Sequence, residues 1–135
     1  MMKSSQIDLA KYRFNDAKEK LESANILFRE NRLKDSLSRS YYAMFSAVRA
    51  VLALKELDSS KHSGVISLFN QHFVKTNIID PSIGRLLRKA QYSRERSDYG
   101  DYFTVTKDEA QNQINNAEKL IAEIKRVLTL EIGEF

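Results

Sequence analysis

The chain has no cysteine, which excludes disulfides and thiolate metal sites. One proline and four glycines among 135 residues leave long stretches with nothing to interrupt a helix. No segment approaches the roughly 18 consecutive apolar residues that span a bilayer. The opening stretch MMKSSQIDLAKYRF lacks the apolar run of a secretory leader. The expected setting is therefore the cytoplasm, with no membrane partner. Charge is nearly balanced, 22 basic against 18 acidic residues for a net +4. Such an excess helps an anionic partner approach, yet it is too small to be a nucleic-acid footprint by itself, and solvated lysine-rich helix faces account for it equally well. There are two histidines, His62 and His72. Neither belongs to an i,i+4 pair or an HExxH run, so no metal site and no cofactor are expected.

What is present is helix. The stretch from Leu33 to Leu57 contains no helix breaker, and between Tyr41 and Leu54 its only polar side chains beyond the tyrosines are Ser46 and Arg49. A helix apolar on nearly all sides is a buried one, and the other helices are expected to coat it. At 100° per residue Arg39, Ser46 and Arg49 fall within about 80° of one another, with Tyr42 between them. A polar stripe on a buried helix marks either a cleft or partner surface, or long side chains reaching out to water.

The flanking segments fit a bundle around this helix. From Asp8 to about Glu30, Tyr12, Phe14, Ala17, Leu21, Ala24, Leu27 and Phe28 make an apolar stripe, and Asn31–Arg32 forms a corner short enough for an antiparallel hairpin. Asp58 to Lys61 is a polar break carrying capping residues for a short helix over about 63–74. Asp80-Pro81 reads as an N-cap followed by proline at the first helical position. The helix it opens runs into Arg94-Glu95-Arg96-Ser97-Asp98-Tyr99 and stops at Gly100. Thr106 and Glu109 form a capping box for the last long helix. Residues 1–7 and 131–135 are expected as tails. The expected fold is all-α: one domain over 1–135, an antiparallel up-and-down bundle of four long helices plus one short helix.

The segment RERSDY concentrates the polar chemistry. Arg94 and Asp98 share a helix face four residues apart, which is ordinarily a minor ion pair. Here the acid sits near the helix C-terminus and the order is Arg-then-Asp, both unfavourable. A local rule broken without evident gain points to a tertiary partner or a function.

SYYAMFSAVRAVL, KHSGVISLFNQHFV, RERSDY and a capped final helix, in that order, resemble the HEPN family over roughly residues 10–130, most closely its small stand-alone prokaryotic proteins. The resemblance implies a bundle that often dimerises, nucleotide or RNA binding, and in many members a metal-independent ribonuclease toxin paired with a small nucleotidyltransferase antitoxin. The family motif is an Arg, four to six residues, then a His. Here Arg94 matches the Arg, but Asp98 or Tyr99 stands where the His is expected. A carboxylate is ionised at neutral pH and cannot serve as an acid, and a phenol is a reluctant base.

Three expectations stay open on these grounds. One is a homodimeric phosphate-binding subunit in which Arg94 holds the phosphate, Asp98 orients Arg94, and Tyr99 stacks nearby. In it Arg39, Tyr42, Arg49, His62 and Tyr102 are further ligand candidates. The second is an active ribonuclease with His62 supplying the missing imidazole. The third is a non-catalytic interaction bundle whose polar stripe is a protein interface.

Overall fold

The computed structural model describes residues 2–135. Helix α2, Leu33–Ala53, is the central element. Fourteen of its residues are buried, and it packs against α1 (Ser4–Arg29), α3 (His62–Phe69), α4 (Pro81–Tyr99) and α5 (Lys107–Ile132). Helix α3 continues into a π-helical turn, Asn70–Val74. The all-α bundle of four long helices and one short one is thus observed, and no strand occurs among the described residues.

Helix ends are set by local chemistry. Helix α1 closes with Asn31 in the left-handed region, φ 60, so that Arg32 N–H reaches Leu27 O and Asn31 N–H reaches Phe28 O, a Schellman cap. Helix α2 ends the same way, with Glu56 at φ 54 and Leu57 N–H bonded to Leu52 O. It therefore stops four residues short of the expected Leu57. No glycine marks that stop, which is why the sequence pattern overran it. Asp80 accepts from Ser82 N at 2.8 Å and Pro81 opens α4. Thr106 Oγ1 accepts from Glu109 N at 3.1 Å, while the Glu109 carboxylate takes the Thr106 hydroxyl rather than its N–H.

Three expectations are corrected. The tails are shorter than 1–7 and 131–135: α1 begins at Ser4 and α5 runs to Ile132. Gln6 is the reason at the first end. Its side chain accepts from Lys3 N at 2.8 Å and donates to Leu54 O at 2.9 Å, pinning the first turn to the end of α2. At the other end Phe135 lies edge-on to Phe14 and under Lys125. The inward stripe of α1 holds with Ala10, Phe14, Ala17 and Ala24 buried and Leu21 and Phe28 packed against the core, but Tyr12 is 73% exposed. Residues 12 and 14 are about 200° apart on a helix and cannot share a face. The polar break supplies no side-chain cap to α3: its N-cap is Lys61, without a side-chain bond, and Ser59 Oγ instead accepts from Lys61 N at 3.2 Å.

Helix α4 approaches the π-helical turn at Gly84. A Cβ there would lie 2.6 Å from Val74 Cγ2 and 3.3 Å from Cγ1. Gly84→Ala gains helix propensity of about 1 kcal/mol but overpacks the contact at about 1–3 kcal/mol. We expect a net fall in the urea midpoint with an unchanged m-value.

Candidate functional site

Arg94 leaves α4 pointing inward. Only 13% of its side chain is exposed, and its guanidinium lies over two rings of α2, 5.1 Å from the Tyr41 centroid and 5.4 Å from that of Tyr42. Its Nη1 donates to Asp98 Oδ2 at 2.9 Å and to the Tyr42 hydroxyl at 3.3 Å. Its Nε is buried without a hydrogen-bond partner. Two aromatic faces, a hydroxyl and a carboxylate thus fix one cation, and its Nε and Nη2 make no hydrogen bond.

His62, the first residue of α3, closes the other side of the same aromatic cluster. Its Nδ1 is 3.1 Å from the Tyr41 hydroxyl. Its ring lies 4.3 Å from that of Phe45 and edge-on to Tyr42 at 5.9 Å. Burial pushes the Tyr41 phenol up to about 12, against the opposing pull of Arg94, so Tyr41 stays protonated and serves as a hydrogen-bond anchor, not a base. Burial, and then the charges of Arg94 and Arg49, hold the His62 pKa below its ordinary value, with Glu95 opposing.

That shift has a sign. A histidine whose folded pKa lies below its unfolded value of about 6.5 contributes stability that is complete above that value and is lost as pH falls through the folded one. Melting curves should show the wild type losing stability as pH falls below about 6.5. His62→Gln should flatten that slope. Asp58, whose pKa is also lowered, belongs to a separate window below about pH 4.

Further along α2 a groove of ≈ 490 Å³ opens between α1 and α2, and Tyr42, Ser46, Arg49 and His62 all line it. Arg49 Nη2 donates to Asp58 Oδ2 at 2.9 Å, and Arg13 Nη2 reaches the same oxygen at 3.3 Å. Arg13 Nη1 also donates to Arg49 O at 3.1 Å. Burial alone would raise the Asp58 carboxyl. The bonds from Arg49 and from Ser59 N–H, with the charges of Arg49 and Arg13, outweigh it and hold the group below the usual carboxylate range. Lys20 donates to Asp16 at 2.8 Å and to Ser46 Oγ at 2.9 Å.

The structure therefore brings Arg94, Asp98, Tyr42 and His62 together, and joins Arg49 to them through the groove. It does not bring in the others. Arg39 is exposed, and it makes no side-chain hydrogen bond or ion pair among the described residues. Tyr99 is 78% exposed and Tyr102 entirely so. Tyr41 belongs to the Arg94 cluster, Arg13 and Asp58 belong to the neighbouring groove-side ion cluster, and all three escaped the sequence reading. Tyr41 reads as core, as its ring indeed is, and only its buried hydroxyl could have hinted at a polar partner.

Comparison with known proteins gives a consistent answer. A model of the HEPN domain matches residues 10–127. The chain is 36% identical over 117 residues to a protein of Thermotoga maritima named "UPF0332 protein", spanning 82% of this chain and 89% of the relative. It is 37% identical over 112 residues to a Methanocaldococcus jannaschii protein named "Putative toxin MJ0605", spanning 83% of each. A second protein of that archaeon, "Putative toxin MJ0142", is 31% identical over 112 residues, spanning 83% of this chain and 76% of the relative.

Proposed function

The chain belongs to the HEPN domain family, and from that premise we propose that it binds the phosphate of a nucleotide or of RNA, as the toxin-like subunit of a pair with a nucleotidyltransferase. The toxin-like part is supported by the names of two relatives. The phosphate-binding part rests on Arg94: a guanidinium turned inward, clamped between Asp98 and Tyr42, with a buried Nε that has no partner. A buried donor left unpaired costs about 1–3 kcal/mol, and the fork's Nη2, which makes no hydrogen bond, is the donor left for a phosphate oxygen. Arginine suits this role because its fork matches a phosphate edge. Asp98 is the positioning residue that holds the fork, and Tyr42 supplies a hydroxyl and a ring face beside it.

A ribonuclease reading is favoured by one specific observation. His62 reaches the Tyr41 hydroxyl at 3.1 Å, and Tyr41 also lies under Arg94, so an imidazole from α3 and the Arg94 guanidinium share one phenol. Its lowered pKa keeps it neutral at pH 7, the state a general base needs. A homodimer belongs to the same proposal, and sedimentation of the pure protein checks it.

The testing experiment is a thermal-shift series with mononucleotides and short RNAs, followed by incubation of labelled RNA in excess chelator. A ligand that binds only the folded state stabilises it by about 2.7 kcal/mol at a hundredfold excess over its Kd, a rise of several degrees. Cleavage lost in His62→Gln supports the nuclease, whereas binding without cleavage supports the phosphate-binding subunit. No shift with any nucleotide or RNA, together with tight self-association, leaves only an interaction bundle.

A further inference from the structure

The groove between α1 and α2 has its own cations. Arg13 and Arg49 share one carboxylate, Asp58, so one charge neutralises two. Arg49 Nε is, like Arg94 Nε, buried and unpartnered. Lys20 lines the same groove, neutralised there by Asp16, and Tyr12 lines it while 73% exposed. The Asp58 carboxylate is itself 47% exposed and comes from the loop that leads into His62 rather than from a helix. It is the easiest of these groups to displace.

Tyr42, which touches Arg94, and Arg49 lie seven residues apart on α2, roughly 10 Å along the axis at 1.5 Å per residue. Arg94 is not among the residues that line the groove, so the two sets of cations are separate. We infer that Arg13 and Arg49 form a second phosphate subsite, closed in the free chain by Asp58, and that the two subsites together select a single-stranded oligonucleotide over a mononucleotide. The inference rests on the phosphate-binding reading of Arg94 and deepens it.

An entering phosphate takes the two guanidiniums from Asp58 through charge-assisted bonds. The exposed Tyr12 ring offers a face on which a base can stack, as in sequence-tolerant strand binders.

The test compares a fluorescein-labelled eight-nucleotide single-stranded RNA, read by anisotropy across a salt series, with AMP, read by calorimetry. Asp58→Asn, which keeps shape and removes the competing charge, should tighten RNA binding about tenfold and leave AMP unchanged. Arg13→Gln should weaken RNA about tenfold and lower the salt slope by about 0.7, the value for one single-strand phosphate contact. Circular-dichroism melts confirm that each variant is folded. Wild-type RNA affinity and salt slope in both variants, with RNA binding lost in Arg94→Gln, would sink the second subsite and leave the Arg94 reading intact. Equal losses for AMP and RNA in Arg13→Gln would also sink it, since the cations would then serve one merged site. Failure of the wild type to bind either probe would overturn both readings together.

Discussion

Arg94→Ala is expected to weaken phosphate binding by about a hundredfold or more. Hydrogen bonds to charged groups contribute about 1.5–3 kcal/mol each, and an arginine fork supplies two to one phosphate. Every 1.4 kcal/mol is about a factor of ten, so even one bond at the upper end reaches that loss. The same substitution should cost the fold little. It removes a cation over two rings, about 0.5–2 kcal/mol, and a partly exposed pair with Asp98, below about 1 kcal/mol. The variant should still fold cooperatively and melt no more than about 10 °C below wild type. Arg94→Lys should not restore affinity, because an ammonium neither forks nor stacks flat on Tyr41 and Tyr42. Titration of labelled RNA at fixed salt, with melts in parallel, separates the two effects. An Arg94→Ala protein that binds as well as wild type would remove Arg94 from the site.

The bundle was legible because its signals are local. Leu33–Ala53 lacks any breaker, Asp80-Pro81 and Thr106 cap their helices as their spacing implies, and Asn31 takes the left-handed corner it is suited to. Arg94 was legible for the opposite reason: its order with Asp98 violates a local preference, and the violation is explained by Tyr41 and Tyr42, which lie more than fifty residues earlier. Arg13 and Asp58 were not legible. Asp58 is a fair capping residue on spacing alone, but Arg13, forty-five residues away, reaches across α2 and recruits it. No periodicity encodes which cation of α1 turns toward a loop, since this depends on how α1 docks on α2. Arg39 failed in the converse way. It shares the angular sector of Tyr42, Ser46 and Arg49, yet the groove lined by those three does not include it, and a helical wheel cannot show where along a helix a groove ends.

Tyr41 is the residue at which fold and site depend most on one another, and two substitutions separate its contributions. Tyr41→Ala empties the position of a fully buried ring packed against Phe45 and Tyr42, and large-to-small changes of an aromatic cost about 3–5 kcal/mol. Against a total of about 5–15 kcal/mol for a domain, that is a shift in melting temperature of roughly 10 °C or more. It also removes one of the two faces on which Arg94 rests, so phosphate binding should fall with stability. Tyr41→Phe keeps the ring and the Arg94 contact and deletes only the bond to His62 Nδ1, about 0.5–1.5 kcal/mol. Because the phenol stays protonated up to about 12, the hydroxyl's contribution does not vary with its own titration near neutral pH. Any pH dependence in the difference between wild type and Tyr41→Phe must come from the imidazole. Phosphate binding should therefore survive in Tyr41→Phe, while any RNA cleavage should drop because His62 has lost its anchor. Equal melting temperatures for the Phe and Ala variants would mean that the hydroxyl, not the ring, holds this part of the core, and the packing argument for how Arg94 is placed would fail with it.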